Sequence, residues 1–233
     1  MFSHLTGVLE AYPQWLIIAC VGVAVISYFL GCFNGAVLIS RFVYHDDVRN
    51  YGSGNGGLTN FLRIYGGPWT VVVILCDVLK AVLSVLFAMW LFGKLTPELV
   101  TFGKYWAGLF CLLGHMFPCT FQFRGGKGVL SGGFIAIMID WRVALVVWGG
   151  FLILAVATKY VSLGACWAGA SFPFATLFVY RDPILTVIGF ICGGLLLWKH
   201  RANIHRLLTG TESKFSIKKK AMPRNDGGED NKS

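Results

Sequence analysis

Charge is scarce in this chain: 13% of its 233 residues are Asp, Glu, Lys or Arg, while 56% are hydrophobic. Acidic residues are scarcer still, eleven against twenty Lys and Arg, leaving a net charge of +9. With a mean hydropathy of +0.66, such a chain cannot cover a water-facing surface, and lipid is the solvent for most of it. The familiar hydrolytic signatures are missing: no G-x-S-x-G elbow, no H-E-x-x-H, and no histidine followed five positions later by aspartate. Covalent serine chemistry and zinc hydrolysis therefore have no sequence support. No C-x-x-C or Cys/His ligand spacing occurs among the seven cysteines. Cys20, Cys32, Cys76, Cys111, Cys166 and Cys192 lie in apolar stretches and Cys119 near a loop, which reads as small packing residues rather than disulfides or metal ligands. No basic groove with interleaved aromatics occurs in a polar segment, which argues against nucleic acid as a partner.

What is present is a series of apolar runs, at about 14–39, 68–92, 99–117, 129–140, 143–157, 161–180 and 183–199. A hydrocarbon core about 30 Å thick needs roughly 20 residues per helix, so the pattern predicts an all-α integral membrane protein with about seven transmembrane helices. The fourth and fifth are expected to be short. The first run is too long for a signal segment and reads as a retained span. Loops 41–67, 118–128 and 158–160 and the tail from Lys199 fall on one face and hold most of the Arg and Lys. The positive-inside rule then predicts a cytoplasmic C-terminus and an outside N-terminus. Residues 1–212 read as one membrane domain and 213–233 as a polar, disordered cytoplasmic tail containing Lys218, Lys219 and Lys220. Gly31/Gly35 and Gly189/Gly193 recur at four-residue spacing, a pattern that lets helices approach closely.

The conspicuous polar residues form clusters on the basic face. In the first, Gly52, Gly54, Gly56 and Gly57 alternate with Ser53, Asn55, Thr59 and Asn60 beside Arg49. Glycines allow successive backbone N–H groups to turn toward one anion, and hydroxyls and amides add donors. Gly52, Gly54 and Gly57 also satisfy G-x-G-x-x-G, with Asp77 twenty residues further on. That fingerprint has meaning only inside a βαβ unit, and here it follows a membrane span. The second cluster, Arg124-Gly125-Gly126-Lys127-Gly128, opens the fourth run with Ser131 one turn inside. Glycine loop, helix N-terminus and lysine together suit a phosphate. In the third, His200, Asn203 and Arg206 recur at i, i+3, i+6 if the last helix continues, gathering a base or donor, an amide and a cation. Asp77 and Lys80, one turn apart inside the second run, call for mutual pairing or a polar cavity, and His115 before Pro118 reads equally as a packing or a catalytic residue.

At these clusters the chain resembles the bacterial acyl-phosphate:glycerol-3-phosphate acyltransferases, the PlsY family, up to about Glu212. The family's G-S-G-N-x-G-A-T-N-x-x-R reads as Gly52 to Asn60 with Arg63, its G-G-K-G-V-A-T as Gly125 to Ser131, and its H-R-E-N-I-x-R-L-L-x-G-x-E as His200 to Glu212. Gly114-His115-Met116 and Lys159 to Leu163 also match. Leu58, Leu130, Ser131, Ala202 and Cys32 depart from the family pattern.

The resemblance implies transfer of a fatty acyl group from acyl phosphate to the sn-1 hydroxyl of glycerol 3-phosphate, giving lysophosphatidic acid and phosphate. It further implies a bacterial cytoplasmic membrane, an active site facing the cytoplasm, membrane lipid as surroundings, and neither metal nor cofactor. The expected catalytic residues are His200, Asn203, Lys127, Ser53 and Arg49. The expected phosphate ligands are Gly52, Gly54, Asn55, Thr59, Asn60, Gly125, Gly126, Gly128, Ser131 and Arg206. A transporter of a phosphorylated anion would also want many spans and glycine loops, but no internal repeat of the transporter kind is apparent.

Overall fold

Every apolar run folds as a helix, and the helix ends fall where capping residues, prolines and glycines stop the ladder. The protein is described by a computed structural model over residues 13–215; the expected polar tail beyond 215 and the N-terminal residues before 13 lie outside the described residues. The helices are α1 (Pro13–Cys32), α2 (Gly35–Val43), α3 (Leu58–Ile64), α4 (Trp69–Leu95), α5 (Val100–Met116), α6 (Val129–Ile139), α7 (Trp141–Thr158), α8 (Val161–Tyr180), α9 (Pro183–Lys199) and α10 (Arg201–Leu208). Short 3-10 turns lie at Val48–Asn50, Pro97–Leu99 and Cys119–Phe121, and no strand occurs among the described residues.

Among the described residues four helical segments are long and apolar enough to cross a membrane, Gln14–Val43, Trp69–Leu95, Trp141–Thr158 and Val161–Tyr180, and the bent pair α9–α10 is a fifth when taken as one span. The fourth run is short as expected, the 11 residues of α6, about 16 Å of helix. The fifth is longer than expected: α7 runs to 18 residues, starting two residues earlier, at Trp141, where Asp140 caps it at Arg142 N and pairs with the Arg142 side chain at 2.8 Å. Another departure concerns the last run. The helix does not continue through His200 but bends by 61° between α9 and α10, so His200 sits at the break and only Asn203 and Arg206 share a regular helix.

Broad apolar faces point outward, among them Trp15, Val21, Val25 and Phe29 on α1, Leu79, Leu83 and Trp90 on α4, and Val156 and Phe178 on α7 and α8. Lipid accepts these side chains and provides no hydrogen bonds, so polar groups turn inward. The interior accordingly holds Ser27, Asn34, Asp77, Lys80, His115, Thr176 and His200 beside its aliphatic core. Small residues set the helix spacing. A Cβ on Gly114 would strike the Tyr28 carbonyl oxygen, and one on Gly31 the Cys111 carbonyl oxygen, so α1 and α5 touch backbone to backbone. Gly193 meets the Gly169 carbonyl in the same way, and Gly189 lies against Pro173. The expected packing role of the glycine pairs is borne out.

The break between α1 and α2 positions the first glycine cluster. Asn34 caps α2, its Oδ1 accepting from Val37 N at 3.1 Å, while its Nδ2 donates to the Gly56 carbonyl at 2.8 Å. One buried amide thus caps α2 and anchors a loop. Gly114→Val should force the α1–α5 contact apart and cost about 2–3 kcal/mol or more, lowering Tm in detergent by at least ~4 °C. Gly194→Ala, where a Cβ meets nothing within 4 Å, should leave Tm within ~2 °C. Thermal unfolding of the two variants checks both.

Candidate active site

The loop from Val48 to Asn60 is held by two side chains that the sequence offered as phosphate ligands. The Arg49 guanidinium is spent on protein acceptors: Nε and Nη2 grip the Asp47 carboxylate at 2.9 and 2.7 Å, and Nη1 donates to the Phe121 and Arg124 carbonyls at 2.9 Å each. Arg49, with Arg41 on the same carboxylate, holds Asp47 well below the usual carboxylate range. Asn60 is only 2% exposed. Its Oδ1 accepts from Ser53 N at 3.0 Å, and its Nδ2 donates to the Val48, Tyr51 and Asn55 carbonyls at 2.9–3.1 Å. Gly52 has φ +60°, and a Cβ there would collide with the Asn60 carboxamide oxygen. The chain therefore wraps Asn60 and leaves Ser53, Asn55, Gly57 and Thr59 to face a cavity.

The second glycine cluster is also built differently from the expectation. Gly125 N donates to the Met116 carbonyl at 3.3 Å and Gly126 N to the His115 carbonyl at 3.1 Å, so these amides fix the loop to the end of α5 and are not available to an anion. Gly128, at φ +82°, caps α6 and turns the open N-terminus of that helix to the cavity. Ser131 is a further correction. Its hydroxyl is fully buried and donates to the Asp77 carbonyl at 3.0 Å, because one turn into α6 the side chain faces α4.

The third cluster meets the second directly. Lys127 Nζ donates to Asn203 Oδ1, whose Nδ2 donates to Glu212 at 2.8 Å, and the other Glu212 oxygen takes Arg206 Nε at 2.7 Å. Burial, reinforced by the charge of Arg206, pushes the Lys127 ammonium down to about 8. His200, 3% exposed, has its Nδ1 at 2.8 Å from the Leu196 carbonyl. A carbonyl only accepts, so Nδ1 carries the proton and Nε2 presents a lone pair. Burial pushes His200 down to about 4, which keeps it neutral.

These groups enclose a cavity of about 480 Å³, within the size range of small-molecule sites. Of the expected residues it is lined by Gly52, Ser53, Asn55, Thr59, Asn60, Lys127, Gly128, His200, Asn203 and Arg206, and not by Arg49, Gly54, Gly125, Gly126 or Ser131. Among the lining residues outside the expected set are Arg63, Ser162, Glu212 and His115. Arg63 is exposed and makes no ion pair among the described residues, leaving it open to an anion. The family motifs had touched Arg63, Ser162, Glu212 and His115, so a signal existed for each, and for His115 it left packing and catalysis equally open. No group of His, Cys, Asp and Glu fit to hold a metal occurs among the described residues.

Beneath the cavity Asp77 and Lys80 pair at 2.7 Å, as their spacing called for, and His115 joins them, Nδ1 lying 2.5 Å from Lys80 Nζ. Lys80 also donates to the Phe33 carbonyl at 3.2 Å, so its ammonium is surrounded by acceptors. Asp77 and His115 both reach the cavity wall.

If Arg49 organises the loop, Arg49→Lys should lose the forked grip on Asp47 and both carbonyl contacts. Backbone amides of residues 48–60 and 121–126 should then exchange hydrogen at least ~10-fold faster, about 1.4 kcal/mol of lost protection, while those of α4 stay unchanged. Hydrogen-exchange mass spectrometry checks this, and unaltered exchange would count against the organising role.

Residues 21–210 match the family model described as glycerol-3-phosphate acyltransferase. The chain is 35% identical over 195 residues to a glycerol-3-phosphate acyltransferase of Thermoanaerobacter sp. (strain X514), covering 84% of this chain and 95% of that one. It is 38% identical over 194 residues to one of Mesorhizobium japonicum, covering 83% and 95%. Among solved structures it is similar to PlsY (YgiH), an integral membrane glycerol 3-phosphate acyltransferase, in its glycerol 3-phosphate form, with TM-score 0.74, 31% identity, and coverage of 84% of this chain and 96% of that one. The lysophosphatidic acid form of PlsY superposes with TM-score 0.69. A helical membrane chain that gathers its glycine loops, its lysine and its last-helix histidine around one cavity, and shares this sequence over most of its length, belongs to the glycerol-3-phosphate acyltransferase family of integral membrane enzymes.

Proposed function

We propose that this cavity transfers a fatty acyl group from an acyl phosphate to the sn-1 hydroxyl of glycerol 3-phosphate, releasing lysophosphatidic acid and inorganic phosphate as the first acylation of phospholipid synthesis. The observation that carries the reading is the open Nε2 lone pair of His200 in the same cavity as Lys127 and both glycine clusters. Both substrates carry phosphate, and the cavity lining includes three cations from different parts of the chain, Arg63 of α3, Lys127 of the second glycine loop and Arg206 of α10. The relatives' names and the glycerol 3-phosphate and lysophosphatidic acid forms of PlsY favour the same pair of substrate and product.

The donor is a mixed anhydride and already activated, so neither an enzyme nucleophile nor a metal is needed. The sn-1 hydroxyl oxygen attacks the acyl carbonyl carbon, the carbon–oxygen bond to phosphate breaks, and phosphate leaves with the electron pair. His200 Nε2 accepts the hydrogen bond of the attacking hydroxyl, and its proton passes to that nitrogen or to a phosphate oxygen. Lys127, held by Asn203, stabilises charge developing on the phosphate. Ser53, Thr59, Asn55, Gly57 and Arg63 hold the other phosphate. The acyl chain remains among the apolar helices and enters from the bilayer.

Counting α5 and the short α6 as crossings beside the five segments above makes seven, and alternation then brings all these clusters to one membrane face. The excess of Arg and Lys there argues for the cytoplasm, with the N-terminus outside.

Purified protein given acyl phosphate and labelled glycerol 3-phosphate should form lysophosphatidate and phosphate in equal amounts. No product, with uptake of glycerol phosphate into sealed vesicles, would replace the enzyme reading with transport. The charged form of Lys127 exists below about 8 and is lost as pH rises through it, whereas His200 stays neutral, and able to accept, above about 4. The pH profile of kcat/KM should thus decline above about 8, and show no acid limb near the usual histidine value. His200→Gln should lower kcat by ~10²-fold; turnover near wild type would remove His200 from proton transfer.

A further inference from the structure

His115, like its neighbour Asp77, is a buried titratable group in the cavity wall that this mechanism leaves unused. We infer that His115 is a further substrate-contacting residue, a neutral imidazole locked by Lys80 so that its Nε2–H donates to a phosphate oxygen above Gly126 to Gly128. The inference rests on the acyl-transfer reading for the identity of that phosphate and on geometry for the donor.

The tautomer follows from the partners. Lys80 Nζ lies 2.7 Å from Asp77 Oδ1, 3.2 Å from the Phe33 carbonyl and 2.5 Å from His115 Nδ1. An ammonium has three donors and no lone pair. The Asp77 carboxylate and the Phe33 carbonyl take two of these donors, and the third meets Nδ1, which must then accept. The competing arrangement, a direct Nδ1–H bond to Asp77, would span 3.6 Å, longer than a hydrogen bond. The proton of the neutral ring therefore sits on Nε2.

Nε2 has no hydrogen-bond partner among the described residues. It is the atom that a Cβ on Gly126 would strike first, so the ring edge lies directly under the second glycine loop. His115 also lines the cavity together with Lys127 and Gly128. Gly125 and Gly126 spend their own amides on α5 carbonyls, so the loop needs another donor at that point, and His115 supplies it. The cavity then carries two neutral histidines of opposite polarity: His200 offers a lone pair to the hydroxyl, and His115 offers a proton donor to the phosphate. Asp77 and Lys80 act as positioning residues.

The test begins with ¹⁵N-histidine NMR of the full-length protein in detergent. The expected His115 signal is that of the Nε2–H tautomer, and Nε2 should shift on titration with glycerol 3-phosphate or inorganic phosphate. In Asp77→Asn/Lys80→Met the single-tautomer signature should disappear. In activity assays His115→Phe should lower kcat/KM by ~10²- to 10³-fold, the effect of removing one preorganised donor, and His115→Gln, whose amide N–H can replace Nε2–H, should restore most of it. A purely packing role predicts the reverse order, with Phe tolerated and Gln not. A wild-type Nδ1–H or doubly protonated ring, or an Nε2 signal indifferent to saturating phosphate, overturns the inference even where His115→Phe fails to fold. Wild-type protein that makes no lysophosphatidate refutes the acyl-transfer reading instead, and the phosphate titration still decides whether His115 is a donor.

Discussion

The hydrogen bond from Lys127 to Asn203 joins parts of the chain that nothing in local structure brings together. Lys127 belongs to the loop opening α6, and Asn203 to the helix that follows the bend after α9. Through Asn203 the contact continues to Glu212 and Arg206, so the second glycine loop and the last helix form one wall. Without it the cavity would have glycine loops on one side and a lone histidine on the other. Lys127 is withdrawn from water at this wall, and that burial, with the charge of Arg206, lowers its ammonium to about 8.

A second constraint comes from the solvent. Lipid satisfies no polar group, so a donor buried inside the helical bundle is stabilised by an acceptor there, although the hydroxyls of Ser27 and Ser171 have none among the described residues. Asn34, Asn60, Ser131, Arg49 and Lys80 all obey this rule, and each ties one segment to another: Asn34 to the first loop, Ser131 to α4, Arg49 to the loop after α5. Removing one partner of a buried pair leaves the other uncompensated, which is far more costly than the pair is stabilising. Polar groups that would be liabilities in a bilayer become the fasteners of the site.

Legibility in the sequence followed the physical range of each signal. Apolar runs and glycine pairs are local and repetitive, and α4, α6 and the Gly31 and Gly193 contacts follow from them. The clusters around Ser53, Lys127 and His200 stood out because glycine, amide and cation crowd into a few residues, and they do share one cavity. What escaped was the choice of partner. Arg49 looks like a phosphate ligand until Asp47, Phe121 and Arg124 are seen to occupy it, and the Gly125 and Gly126 amides look open until the α5 carbonyls are placed beside them. The bend at His200 carries neither proline nor glycine, so no local residue announces it. His115 could not be paired with Lys80 from sequence, since the two are 35 residues apart on different helices.

The central claim is that separate sequence motifs act as one catalytic unit because Lys127 and Asn203 hold each other. A double-mutant cycle on kcat/KM for lysophosphatidate formation, using Lys127→Met, Asn203→Ala and the double variant, measures this directly. The account predicts that the double variant is little worse than the more damaged single one, with a coupling of about 1–3 kcal/mol. Additive losses within ~0.3 kcal/mol would mean that the two residues serve the reaction independently, and would contradict it.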